Sequence, residues 1–271
     1  RYNLMYKAVV SDLDGTLLNG NHAIDEFTKE TVSEVINRGI KFYIATGRSY
    51  SGAKDIMDKL GLKIPLITSN GARILDEEGK EIYVNNLEKK YSDSILDIDY
   101  KKNGKSIVLN VYSGNDWYVT EDRREFYMKI NPKRTFFPEV TTLEKLKTKE
   151  FTKIFFLGEH DELLELEKEI KDITKGEVNI AFVLEHCLEI FSKESDKANA
   201  ARFLLEKDGL TLKDSVAFGD GCNDYNLLKE AGKGYVMGNA LYRLKEALPE
   251  NETVETNADN GVAKKLVELF L

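Results

Sequence analysis

Short apolar runs alternate with longer stretches of helical periodicity at both ends of the chain. Ala8-Val9-Val10 is the first run; a glycine-bearing loop follows, and an amphipathic stretch extends from Asp25, a good helix N-cap, to Arg38, where Gly39 supplies the stop. The unit then repeats. Phe42-Tyr43-Ile44-Ala45 ends at Thr46-Gly47-Arg48, and the helical stretch after it closes at Gly61. A third strand after Pro65 runs through Leu66-Ile67 to Ser69-Asn70-Gly71, and Gly79 marks a hairpin between Arg73 and Val84. The pattern resumes late in the chain, with Val216-Ala217-Phe218, a helix to Ala231, the strand Tyr235-Val236-Met237 and a last helix from about Val262. Such alternation predicts crossover units and a parallel sheet whose strands are buried on both faces.

Between these halves the pattern changes. Apolar residues at 107–112 and 117–120 flank a Gly114-Asn115 turn, which is the pattern of an antiparallel hairpin. Further runs at 154–157, 178–183 and 188–191, with a helical stretch at 162–170, predict an α+β module inserted into the core. The expected architecture is α/β: a Rossmann-like parallel-sheet core of residues 1–84 and 191–271, interrupted by an inserted α+β domain at 85–190. No internal repeat or low-complexity segment is evident, and the four residues before Met5 are candidates for a non-native extension.

Composition narrows the function. With 39 basic and 47 acidic residues among 271, the formal charge is −8, and no long basic run supplies the footprint a nucleic-acid binder needs. The longest apolar run, 180–184, is far short of the ~20 residues that cross a bilayer. No long apolar stretch follows a charged amino terminus, so a secretory signal is not expected and the cytoplasm is the default. Cys187 and Cys222 lie far apart without CxxC spacing, which argues against a disulfide framework or a structural zinc site. Neither nucleic acid nor membrane is an expected partner, and nothing demands more than a monomer or weak homo-oligomer.

In an open parallel sheet ligands gather where strands end, so the polar residue after each apolar run matters most. Asp12 and Asp14 follow the first strand, Thr46 the second, and Asp220, Asn223 and Asp224 the strand at 216–218. Four carboxylates are thus expected to converge at one edge. Like charges resist that unless a cation or a shared proton separates them. The donors are all oxygens and no histidine is expected nearby, which favours Mg²⁺, and Mg²⁺ implies a phosphate substrate. Asp12 is placed as the nucleophile that forms an aspartyl-phosphate; Asp14, two residues on, would protonate the leaving oxygen and then activate water. Lys197, after Ser195-Asp196 at a predicted helix start, and the Thr46 hydroxyl would add positive charge and a donor at the phosphate. Taken alone, an Asp-x-Asp after a strand is more often a solvated turn, and Thr46-Gly47, Lys197 and Asn70-Gly71 have ordinary explanations too. Cys222 reads as a packed thiol, and His22, His160 and His186 as scattered surface or satisfied histidines. It is the combination that carries the signal.

Asp12-Leu13-Asp14-Gly15-Thr16-Leu17-Leu18 resembles the first motif, DxDGT, of the haloacid dehalogenase-like (HAD) phosphatases. Thr46-Gly47-Arg48 resembles their second motif, Lys197 the third, and Gly219-Asp220-Gly221-Cys222-Asn223-Asp224 the fourth, GDxxND. Met237-Gly238-Asn239-Ala240 and Asp259-Asn260-Gly261-Val262 are similar to recurrent segments of the Cof-type branch, whose large class IIB α+β cap is inserted after the third core strand. Lys197-Ala198 stands where family members often show Lys-Gly. The resemblance implies a HAD-like fold and Mg²⁺ held by the carboxylates of Asp12 and Asp220 and the backbone carbonyl of Asp14, with Asp224 in support. It further implies that Thr46, Gly47, Lys197 and Asn223 meet the phosphate of a small phosphorylated metabolite, a sugar phosphate or similar. Core motifs do not separate a phosphatase from a phosphomutase using the same aspartyl-phosphate, or from a noncatalytic phospho-switch. A dinucleotide enzyme is disfavoured because Asp224 replaces the third glycine of GxGxxG, and a P-loop because Asn21-His22 stands where Lys-Ser/Thr is required.

Overall fold

Val9, Val10, Phe42, Ile44, Val216 and Phe218 are all buried, and the strands that carry them lie side by side. A computed structural model describes residues 6–130, 132, 134 and 136–271; the four residues before Met5 fall outside them. Fourteen strands are present among the described residues: β1 Ala8–Ser11, β2 Lys41–Ala45, β3 Leu66–Thr68, β4 Arg73–Leu75, β5 Glu81–Val84, β6 Val108–Ser113, β7 Asp116–Val119, β8 Glu139–Val140, β9 Lys153–Leu157, β10 Val178–Leu184, β11 Cys187–Ser192, β12 Ser215–Gly219, β13 Lys233–Val236 and β14 Glu252–Thr253.

The chain divides into two units. The first comprises the residues up to Arg48, Ala53–Val84 and Asp196–Leu271. Its sheet has the order β14-β13-β12-β1-β2-β3-β4-β5, parallel from β14 to β3 and antiparallel in the β3–β4–β5 meander. β1 is central. It pairs with β12, more than 200 residues away, in the register Ser11↔Phe218, which brings the two acidic loops to one edge. The helix Glu26–Asn37 begins at Asp25, whose carboxylate accepts the Thr28 N–H at 2.8 Å. It packs on the last helix, Gly261–Phe270, through an apolar face that includes Val32 and Val35.

The second unit comprises Ser49–Gly52 and Asn85–Ser195. Its sheet, β10-β11-β9-β6-β7-β8, is antiparallel except between β7 and β8. The helix His160–Thr174 lies against β10 and β11. An aromatic cluster of Tyr112, Trp117, Tyr127 and Phe155 is tied together by Asn110, whose side-chain oxygen accepts from Trp117 Nε1 at 3.0 Å and from the Tyr127 hydroxyl at 2.8 Å. A buried Lys153–Glu189 pair lies in the same sheet.

The observed division differs from the expected one at two places: Ser49–Gly52, inside the expected core segment, group with the second unit, and so do residues 191–195. Residues 191–195 stay with the second unit because β11 pairs with β10 as far as Ser192↔Val178. The helices Lys89–Leu96 and Arg124–Ile130, and the two-residue strands β8 and β14, have no counterpart in the sequence pattern, being too short to show a period. Among the described residues no helix is long and apolar enough to cross a membrane.

Candidate active site

Asp12 continues β1 in extended conformation, and its N–H donates to Phe218 O at 3.0 Å, one further rung of the β1–β12 ladder. The chain then turns through Leu13–Leu17, with Gly15 at φ +71°. A side chain at Gly15 would overlap the Asp220 carboxylate, so only glycine lets this backbone approach so closely. Thr16 closes the same contact, its hydroxyl donating to Asp220 Oδ1 at 2.8 Å. Past β12, Asp224 sits in a short turn and accepts the N–H groups of Asp220 and Gly221 on Oδ2, each at 3.0 Å. Its Oδ1 accepts from Lys197 Nζ at 2.6 Å, and the same ammonium donates to Asp12 Oδ1 at 2.7 Å. Lys197 opens the helix Lys197–Lys207, whose first turn is capped by Asp196 through the Asn199 N–H at 2.9 Å.

Asp12, Asp220 and Asp224 are buried, and each offers an oxygen within 4.8 Å of the others. Burial pushes the Asp12 pKa up to about 7 against the restraining charge of Lys197. Asp220 is raised well above the carboxylate range, by burial first and then by the charge of Asp12. Burial would lower the pKa of Lys197, yet the Asp12 and Asp224 carboxylates outweigh it and hold the ammonium charged. When all three carboxylates are ionised, the one ammonium leaves two negative charges without protein compensation in an all-oxygen cluster, and the raised pKa values of Asp12 and Asp220 show protons holding that place where no cation does. That donor set fits a hard divalent cation such as Mg²⁺.

Asp14 corrects the expectation that four carboxylates converge. Its side chain turns to Arg48, whose Nε donates to Oδ2 at 2.6 Å and whose Nη2 donates to Oδ1. Burial works against its charge, but the guanidinium outweighs burial and holds Asp14 well below the usual carboxylate range. His22 is also closer than expected: its Nδ1 lies 3.9 Å from Asp14 Oδ1, an electrostatic neighbour beyond hydrogen-bond distance. Arg48 is visible in the Thr46-Gly47-Arg48 motif but its pairing with Asp14, 34 residues earlier, is not, and His22 stands in an exposed turn at φ +54° with nothing in the sequence to mark it.

The remaining predicted residues line the neighbouring strand ends. Thr46 is buried, and its hydroxyl oxygen accepts the Arg48 N–H at 3.1 Å, with Gly47 between them. Asn223 donates from Nδ2 to Asn70 Oδ1 at 2.9 Å, and the Asn70 N–H donates to Thr46 O at 3.1 Å. Asn70, at φ +58°, thus links the Asp220–Asp224 loop to the end of β2. Gly71 at φ +92° leaves no room for a Cβ against the Asp196 backbone, which seats the start of the Lys197 helix beside this turn.

The sequence family described as haloacid dehalogenase-like hydrolase matches residues 9–266, including every residue of this cluster. The chain belongs to that family. A protein of Buchnera aphidicola subsp. Baizongia pistaciae, provisionally designated a phosphatase, is 37% identical over 270 residues, covering 98% of this chain and 99% of its own. The HMP-PP phosphatase of Yersinia pseudotuberculosis is 31% identical over 262 residues, covering 97% and 94% respectively. Among solved structures, the HAD subclass IIB sugar phosphatase BT4131 superposes with a TM-score of 0.82 at 22% identity over 97% of this chain and 98% of its own, a likeness of fold. As a HAD hydrolase with an inserted α+β unit, the chain has the architecture expected from its alternating and paired strands.

Proposed function

We propose that this HAD hydrolase is a Mg²⁺-dependent phosphatase of a small phosphorylated metabolite, a sugar phosphate or similar, and that it works through an aspartyl-phosphate on Asp12. The observation that carries the reading is the buried set Asp12, Asp220 and Asp224, with Lys197 between two of them. The carboxylates of Asp12 and Asp220 and the backbone carbonyl of Asp14 would hold the ion, with Asp224 in support. When bound, Mg²⁺ supplies charge neutralisation and polarises the phosphoryl oxygens.

An Asp12 oxygen attacks phosphorus, the bond to the leaving oxygen breaks, and that oxygen takes a proton from Asp14. Water, deprotonated by Asp14, then attacks the aspartyl-phosphate; the bond to Asp12 breaks and inorganic phosphate leaves. Arg48 holds Asp14 ionised, which suits the base half of this cycle, whereas the acid half requires the pair to separate and Asp14 to be protonated first. Lys197, Thr46, Gly47 and Asn223 are assigned to the phosphoryl oxygens. Leaving-group selection is assigned to the inserted unit acting as a cap. Independence from nucleic acids accords with the net charge of −8, and independence from membranes with the absence, among the described residues, of a helix long and apolar enough to cross one; a cytoplasmic location is part of the same proposal.

The test is phosphate release from a panel of phosphorylated metabolites, sugar phosphates and HMP-PP among them, with Mg²⁺ and then with EDTA. Mg²⁺-dependent release that EDTA stops is expected. No turnover of any phosphoester, or turnover indifferent to EDTA, refutes the assignment.

Protons and Mg²⁺ compete for the same carboxylates, which gives a pH signature. A carboxylate whose folded pKa is raised binds protons that the unfolded chain has already released, so its contribution to stability falls as pH rises from about 4 to about 7. Bound Mg²⁺ offsets that loss. The rise in thermal midpoint on adding Mg²⁺ should therefore be larger at pH 8 than at pH 5.5, and an equal or smaller rise at pH 8 contradicts the charge assignment.

A further inference from the structure

Two C-terminal segments singled out in the sequence, Met237-Gly238-Asn239-Ala240 and Asp259-Asn260-Gly261-Val262, have no task in the chemistry above. Both belong to loops that meet within the first unit. The Gly238 N–H donates to Glu255 O at 3.3 Å, and a Cβ on Gly238 would come within 3.0 Å of the Val254 carbonyl oxygen and the Thr256 nitrogen. The second loop folds back on itself: Thr256 Oγ1 donates to Asp259 Oδ2 at 2.6 Å, Asn260 takes φ +58°, and the Gly261 N–H returns to Thr256 O at 3.0 Å. This turn presents Asn257. The Asn257 N–H donates to Asn239 Oδ1 at 2.9 Å, its Nδ2 donates to Leu18 O at 2.7 Å, and Asn239 Nδ2 donates to Gly15 O at 2.8 Å.

The Asn239 amide can face only one way. The Asn257 N–H is a donor and the Gly15 carbonyl an acceptor, so oxygen must point to the first and nitrogen to the second. Asn239 is solvent-exposed, so core packing does not account for it. Its Nδ2 bond instead falls on the Leu13–Leu17 turn, whose Gly15 backbone abuts the Asp220 carboxylate, while its Oδ1 is held by the Asn257 N–H.

We infer that Asn239 and Asn257 are positioning residues: together they clamp the Gly15 and Leu18 carbonyls and so fix the Asp14–Gly15 backbone of the active-site turn. The loop-holding role stands on the hydrogen bonds alone, while its consequence for metal binding rests on the proposed function.

Asn239→Ala removes both of its bonds without adding charge, and Asn257→Ala removes only the bond to Leu18. Hydrogen exchange of the metal-free proteins, followed on the peptide spanning residues 12–20, should be faster in both variants and more so in Asn239→Ala. Calorimetric Mn²⁺ affinity and kcat on p-nitrophenyl phosphate should each fall about tenfold in Asn239→Ala with KM little changed, the scale seen when groups that orient metal ligands are lost. Exchange in residues 12–20 that matches wild type in a folded variant overturns the clamp. So does Mn²⁺ affinity within about twofold of a wild type that binds it, because an orienting group should cost more than that. Should Asn239→Ala fail to fold, Asn257→Ala decides by the same two readouts. A wild type that neither binds Mn²⁺ nor hydrolyses any phosphoester removes the proposed function, and the exchange comparison alone then decides the loop-holding role.

Discussion

Asp12→Asn should lower kcat by about five to six orders of magnitude, the scale of losing a nucleophile that works as part of a set. The amide keeps the shape of the carboxylate but cannot form an acyl phosphate by attack on phosphorus. Stability should move the other way or not at all. Asp12 is one of three buried acids facing a single ammonium, and burial has already pushed its pKa up to about 7, so removing its charge relieves repulsion at neutral pH. Phosphate release measured with Mg²⁺, together with a thermal melt, checks both halves. A folded variant that retains more than about 1% of turnover is incompatible with Asp12 as nucleophile, given the loss expected for such a group.

Lys197→Met carries the largest expected effect on stability. The ammonium is fully buried and donates to both Asp12 and Asp224, so its loss leaves two carboxylates without their cationic partner. Removing one partner of a buried charged group costs roughly 3–5 kcal/mol, because the remaining charge has no water to turn to. At roughly 2–4 °C per kcal/mol for a chain of this size class, the thermal midpoint should fall by about 6–20 °C. The second substitution Asp224→Asn should recover part of that loss by deleting one unpaired charge, while its amide oxygen can still accept the N–H groups of Asp220 and Gly221. Melting curves with and without Mg²⁺ report the outcome. If Lys197→Met melts like wild type, or the double variant melts below the single one, Lys197 is not balancing the acidic cluster.

Much of the site was visible along the chain because strand ends are marked locally. Three apolar residues and a serine leading into Asp-x-Asp-Gly can be recognised without knowing what the strand pairs with, and the same holds for Phe218 running into Gly219-Asp220. The sequence pattern puts Lys197 at a helix start, yet its bridge between Asp12 and Asp224 depends on the order in which β12, β1 and β2 lie together. The Thr16 hydroxyl on Asp220 and the Asn239 amide on Gly15 each join residues more than 200 positions apart. No periodicity reports such distances. Arg48 was visible as the third residue of Thr-Gly-Arg, but its capture of Asp14 follows from how two strand ends face each other.

The alternation of apolar and polar positions determined the fold class, the interruption of the core, and which acids stand at strand ends, because burial of a strand or helix face is a property of a few consecutive residues. Tertiary structure alone decided that three of the four acids converge, that Asp14 answers to Arg48, and that two asparagines, the exposed Asn239 and the half-buried Asn257, grip the active-site turn. These depend on sheet register and on loops meeting across the edge, where the energy lies in pairings between segments that carry no local trace of one another.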